Sequence, residues 1–280
     1  MDKYLYEKYS LFGTKPKEQR GLTARARGVL ANPLHHYLLF GIVMLVVGFL
    51  SANKILPYSL QSGMAITFAY SLASVGFCLL MGYSGLASLG TGGFMGIGSY
   101  SIHFIMTESG LPFGVALVVA LAIGVVLGLI VGVVSLRIEG IYLVILTLGL
   151  SEILRNLYIA VQDSIYLSTL KLFGLTISRS DSVYVVTVLL VIVMMLTHNL
   201  IVSPTGRAML AMKNSTAAAQ AMGISLMKYR LLAFVICTVY AVLSGMMLMI
   251  TVRSAMATDA SGFYALITSL NILAAVIIGG

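Results

Sequence analysis

Long apolar runs separated by short polar breaks organise this chain. Runs at 37–55, 61–82, 86–106, 112–135, 141–160, 183–202, 229–251 and 263–280 are almost free of charge. A hydrocarbon layer of roughly 30 Å is crossed by about 20 apolar residues in helical form. Helix is required because the bilayer core has no water to satisfy backbone N–H and C=O groups. The pattern predicts an all-α integral membrane protein, a polytopic bundle of about eight transmembrane helices. Pro33, Pro57, Pro112 and Pro204 lie at or near the boundaries, where a missing amide proton costs least.

The third run departs from the rest. Residues 82–100 read GYSGLASLGTGGFMGIGSY, with glycine at 82, 85, 90, 92, 93, 96 and 98. Each glycine weakens a helix by up to about 1 kcal/mol relative to alanine. A full but irregular crossing is expected, its broken backbone covered by protein or a wet cavity. In the fourth run Gly124, Gly128 and Gly132 recur every four residues on one helical face, a spacing that lets a neighbouring helix approach closely. Tight packing is the expected use; a helix that slides during gating is the alternative.

Composition supports the membrane reading: 59% of the 280 residues are hydrophobic, 9% are charged, and mean hydropathy is +1.02. Ten of the 26 charges fall in the first 27 residues. Residues 1–36 form a basic arm too long for a signal peptide, read as a cytoplasmic tail before an uncleaved first helix. With the N-terminus inside and eight crossings, twelve basic residues face the cytoplasm: seven in the arm plus Arg137, Arg207, Lys213, Lys228 and Arg230. Four (Lys54, Lys171, Arg179 and Arg253) face out, in agreement with the positive-inside rule. Were 86–106 not to cross, the basic 203–230 loop would lie outside.

Chemistry is sparse. No phosphate-binding loop, paired-cysteine metal pattern, HExxH or nucleophile elbow is present, so no enzyme, cofactor, metal or nucleic-acid role is expected. Cys78 and Cys237 lie within apolar runs and are expected to be small buried hydrophobes. His35 and His36 read as interfacial. His103, inside the third run, has no evident acidic partner there, while His198 ends the sixth. Glu152 and Arg155 share a helical face at i, i+3. They read either as a structural ion pair or as a polar element lining a solute route.

The loop at 203–228 carries the most information. Pro204 and Gly206 break the chain, and Arg207–Met212 can form a short helical turn. Asn214 or Ser215 can then cap a second helix over Ala217–Met222, with Gly223 as its C-cap. A helix that short is marginal in water, and docking on another protein gives it a purpose.

This loop resembles the coupling segment of permease subunits in bacterial ATP-binding cassette importers. The chain resembles in particular a branched-chain amino acid importer permease. The matching stretches are 82–100, LRIEGIYLVILTLGLSEILR at 136–155, SPTGRAM at 203–209, AMKNSTAAAQAMGISLMKYRLLAF at 211–234 and the closing NILAAVIIGG. The resemblance covers roughly residues 60–280. It implies a permease domain at 37–280 in a bacterial plasma (inner) membrane, translocating branched-chain or related hydrophobic amino acids by alternating access. It implies as partners ATP-binding cassette subunits that hydrolyse ATP, a second permease subunit and an extracytoplasmic solute-binding protein. It makes Arg207, Lys213, Ala218, Ala219 and Gly223 coupling residues, with Arg207 and Lys213 on the partner or on lipid headgroups. Tyr83, Ser84, Ser88, Thr91 and Glu152 become candidates for the translocation path.

Three departures from the family pattern stand out. Asn214, Thr216 and Gln220 replace the acidic residues often found in the coupling loop. The Gly-Gly-x-x-Gly stretch between the fifth and sixth spans is missing, and the chain stops at Gly280 where such permeases continue, which implies a shortened copy. Two rivals of other classes are a stand-alone ion- or proton-coupled carrier and a non-transporting membrane scaffold.

Overall fold

The computed structural model describes residues 33–52, 58–134, 138, 140–167, 170–172, 175–177, 181–258 and 263–279. The arm before residue 33, and Lys54, Arg137 and Arg179, lie outside the described residues. In chain order the helices are α1 (Pro33–Ala52), α2 (Tyr58–Ser84), α3 (Thr91–Ile102), α4 (Phe113–Val134), α5 (Ile141–Val161), α6 (Ser182–Val202), α7 (Pro204–Asn214), α8 (Thr216–Ala221), α9 (Leu226–Val252) and α10 (Leu266–Gly279). A π-helical turn, His103–Glu108, extends α3. Helix occupies each of the eight expected runs. Among the described residues five helices, α2, α4, α5, α6 and α9, are individually long and apolar enough to cross a membrane.

The expectation of helices alone omits four short strands found among the described residues. β1 (Ser164–Tyr166) pairs antiparallel with β4 (Ser254–Met256), and β2 (Leu170–Leu172) with β3 (Leu175–Ile177). The Asp163 carboxylate fixes the first pair, accepting from the backbone N–H and hydroxyl of Thr258 at 2.8 and 2.7 Å.

Every residue of α3 is buried. It is packed by α9, α4, α5 and α10, while α9 also lies along α2 and α4. Glycines set these distances. A Cβ on Gly93 would lie 2.8 Å from Ser151 Cα, and Gly245 of α9 sits against the backbone of Met95. The Ser99 hydroxyl donates to the Gly245 carbonyl at 2.8 Å across that contact. The glycine density that weakens an isolated helix therefore serves a helix enclosed by others.

Gly124, Gly128 and Gly132 turn their buried face to α9, where added Cβ atoms would meet Val242 Cγ2 at 3.0 Å, Val235 Cα at 2.9 Å and Leu231 Cα at 3.2 Å. The Thr238 hydroxyl donates to the Gly124 carbonyl at 3.1 Å. The opposite side of α4 is exposed and apolar, with Val118 67% exposed, as a lipid-facing surface requires. Cys237 is buried, but Cys78 is exposed on α2. That corrects its expected burial: residue 78 falls on the helix face that this chain leaves uncovered.

Candidate functional site

Two regions gather the residues singled out in the sequence: the break between α2 and α3, and the elbow α7–α8. Gly85, with φ +72°, ends α2, and Leu86 N–H reaches back to the Leu80 carbonyl at 3.3 Å. From there to residue 93 the chain cannot form a full helical ladder, and hydroxyl groups supply the missing acceptors. Leu89 N–H donates to Thr147 Oγ1 at 3.0 Å and Gly90 N–H to Ser88 Oγ at 3.2 Å. Gly92 N–H donates to Ser269 Oγ at 2.8 Å and Gly93 N–H to Ser151 Oγ at 3.0 Å. The Tyr158 hydroxyl donates to the Gly93 carbonyl at 2.7 Å. Three helices thus meet at the break through hydroxyl groups, because a backbone donor without a partner is costly inside a membrane.

Ser84, Ser88 and Thr91 are buried in this region, and Ser84 donates to the Leu80 carbonyl. Tyr83 is half-buried. Sequence reading missed Thr147, Ser151, Tyr158 and Ser269. The first three lie on the buried stripe of α5 with Leu143 and Leu154, a 3–4 residue spacing that was open to inspection in the sequence.

Glu152, one residue past Ser151, lies on the half-exposed side of α5. Its Oε2 is 3.5 Å from Arg155 Nη1, with the side chains 36% and 20% exposed respectively. Arg155 donates from Nε to the Ala257 carbonyl at 3.0 Å and from Nη2 to the Thr258 carbonyl at 3.1 Å. An ionised side chain at bilayer depth costs about 3 kcal/mol on insertion scales, so this face is poorly suited to lipid.

At the other end of α3, His103 is buried. Its Nδ1 lies 2.7 Å from the Tyr166 carbonyl, and its Nε2 lies 3.2 Å from Gln162 Oε1 and 3.5 Å from Glu108 Oε1. The acidic neighbour absent from the sequence reading is therefore Glu108. The π-helical turn brings positions five apart onto one side, which α-helical spacing does not.

In the elbow, α7 is longer than the expected single turn. Ser203 caps it, its Oγ accepting from Gly206 N–H at 3.5 Å, and Pro204 occupies its first turn. Ala208, Met209 and Met212 are buried, whereas Arg207 is exposed. Lys213 turns back onto the chain and donates from Nζ to the Gly82 carbonyl at 2.8 Å. Ser215 then caps α8 by accepting from Ala218 N–H at 3.2 Å. At the far end Gly223 has φ +79°. Gly223 N–H donates to the Gln220 carbonyl and Ile224 N–H to the Ala219 carbonyl, both at 2.9 Å. This paired arrangement is a Schellman motif, which needs the left-handed residue that glycine supplies. On α8 only Ala219 is buried; Ala218 is exposed, as is Met222 just beyond, at 83%.

A family model described as "Branched-chain amino acid transport system / permease component" matches residues 59–280. The chain is 29% identical to the high-affinity branched-chain amino acid transport system permease protein LivM of Escherichia coli (strain K12), over 77% of this chain and 57% of that protein. It matches the protein of the same name from Salmonella typhimurium (strain LT2) with the same identity and coverage. The chain thus spans somewhat over half the length of these relatives. No solved structure matches it.

Proposed function

The chain belongs to the family of branched-chain amino acid transport permease components, and on that premise we propose that it is the membrane-spanning half of an ATP-driven importer. It pairs with a second permease subunit in a bacterial inner membrane, its N-terminus in the cytoplasm. Separate ATP-binding cassette subunits hydrolyse ATP on the cytoplasmic face, and an extracytoplasmic solute-binding protein delivers branched-chain or related hydrophobic amino acids. The chain itself makes and breaks no covalent bond. Its part is to pack in two arrangements that open to opposite sides.

The observation that carries this reading is the α7–α8 elbow. A six-residue helix capped at both ends yet buried at one position is hard to explain by its contacts within this chain, because isolated helices of that length are unstable in water. A groove in an ATPase subunit would supply the missing surface. In this arrangement Ala218 and Met222 face the partner, Arg207 contacts it or lipid headgroups, and Gly223 fixes the angle of the helix. The path is proposed to run beside the α2–α3 break, with Tyr83, Ser84, Ser88, Thr91 and Glu152 contributing to it.

Co-purification with the ATPase subunits in detergent tests the reading, comparing the natural chain with Gly223→Trp. Space around Gly223 is open, so the substitution acts through the left-handed backbone, at about 1–2 kcal/mol. Retention of the ATPase by the natural chain and its release by the variant is the expected result. Failure of both to retain it makes a stand-alone carrier the leading alternative.

A further inference from the structure

We propose that Glu152 is the group that receives the α-ammonium of the transported amino acid, with Arg155 as the residue that positions it; this rests on the permease reading above. At 1.5 Å per residue Glu152 lies about 16 Å along α5 from Ile141, midway along a 21-residue helix whose length matches a hydrocarbon layer of roughly 30 Å. It sits on the side of the helix that this chain leaves open, between the buried Ser151 and Ile153, which is 66% exposed.

The two members of the pair are anchored unequally. Arg155 is fixed by the Ala257 and Thr258 carbonyls and turns only Nη1 towards the acid. The Glu152 carboxylate has that single 3.5 Å contact among the described residues. An ionised carboxylate offers about four acceptor positions, and lipid tails fill none of them. Among the described residues no other donor reaches them, which leaves those positions open to a donor on a solute.

A primary ammonium carries three donors and a compensating charge on a small group, which suits one carboxylate with free positions. A metal ion does not suit it: calcium takes six to eight oxygen ligands, and no group of three metal-ligating side chains occurs among the described residues. The neighbouring Ser151 adds a mechanical link. Its hydroxyl holds Gly93 N–H at 3.0 Å, so rearrangement at the α2–α3 break shifts the carboxylate with it. The same group then meets the solute differently in the two states, as differential binding requires.

The test uses the complete assembly in proteoliposomes: this chain, the second permease subunit, the ATPase subunits and the solute-binding protein, with leucine as the probe. Glu152→Gln keeps the shape of the side chain and removes its charge, while Glu152→Asp keeps the charge. Leucine uptake per ATP hydrolysed is expected to fall about tenfold in Glu152→Gln and to recover in part in Glu152→Asp. The assembly should keep its size on gel filtration. Uptake by Glu152→Gln equal to that of the natural chain overturns the ammonium site and leaves the permease reading standing. Loss of the second permease subunit from Glu152→Gln also overturns it, by assigning the carboxylate to a basic side chain across the subunit interface. A natural assembly that retains no ATPase and moves no leucine removes the permease reading and this site together.

Discussion

The Lys213 ammonium donates to the Gly82 carbonyl at 2.8 Å, and its methylene stem packs 3.2 Å from where a Cβ on Gly85 would stand. Two distant parts of the sequence meet there. Lys213 sits at the end of α7, two residues before the cap of α8, and Gly82–Gly85 ends α2 where the chain breaks towards α3. The contact ties the α7–α8 elbow to the segment held by Thr147, Ser151 and Ser269. Its expected role is to transmit displacement of α8 to the break. Lys213→Met keeps the apolar stem and removes the donor. The exposed hydrogen bond should cost about 1 kcal/mol or less in thermal stability, whereas amino-acid uptake per ATP hydrolysed should drop several-fold. Unchanged coupling in Lys213→Met would show that the contact is passive.

Ser151→Ala leaves Gly93 N–H without its acceptor in a buried site. Interhelical hydrogen bonds in membranes average about 0.6 kcal/mol, with a maximum near 1.7. A loss of about 1 kcal/mol in detergent unfolding is therefore expected. Ile153→Ala on the exposed side of α5 supplies the comparison and should change stability far less, because no packed cavity is created. Equal effects from the two would mean that Ser151 does not hold the break.

Two glycines of α4 give opposite forecasts. A methyl group on Gly128 would lie 2.9 Å from Val235 Cα, a backbone atom that cannot yield cheaply, whereas one on Gly114 meets nothing within 4 Å. Gly128→Ala should destabilise by about 1–3 kcal/mol through overpacking against α9. Gly114→Ala should be neutral or slightly stabilising, since it lowers the freedom of the unfolded chain. Unfolding midpoints measured side by side in one detergent decide the point.

The β1–β4 strand pair gives a pH-dependent prediction. Hydrogen bonds from the Thr258 hydroxyl and backbone hold the Asp163 carboxyl below its ordinary value. A folded value below the unfolded one stabilises the fold above the ordinary carboxylate value, about 3.9. That stabilisation fades as pH falls through the folded value. Asp163→Asn should therefore melt at a lower temperature than the natural chain near pH 7, and the gap should close below about pH 4. A gap that widens in acid would contradict the assignment.

Capping of α8 can be tested without transport. Ser215→Ala removes the acceptor for Ala218 N–H, a change worth about 1 kcal/mol at a helix start. Amide exchange over 216–222 should quicken, while exchange in α9 stays slow.

Much of this protein was legible in the chain itself. Eight apolar runs of membrane-crossing length predicted the helical segments, because in a bilayer hydrophobicity and backbone satisfaction leave few other choices. Local signals worked as well: Ser215 and Gly223 delimit α8 because capping depends on residues within one turn of it. The four-residue spacing of Gly124, Gly128 and Gly132 marked the face that meets α9, although the sequence could not identify the partner helix.

What the tertiary structure alone decided concerns pairs far apart in sequence or changed in helical pitch. Gly93 meets Ser151 and Gly92 meets Ser269 across separations of 58 and 177 residues, and no local rule selects those partners. Lys213 was expected to contact a partner protein or lipid headgroups; within this fold it stays exposed and folds back to donate to the Gly82 carbonyl, since the carbonyls left free at the end of α2 attract a cation. His103 and Glu108 approach through the π-helical turn, which no residue pattern signals. Hydrophobicity and capping act within a few residues and can be read in order. Which hydroxyl group reaches which amide depends on how close two helices come, and only the packed bundle fixes that distance.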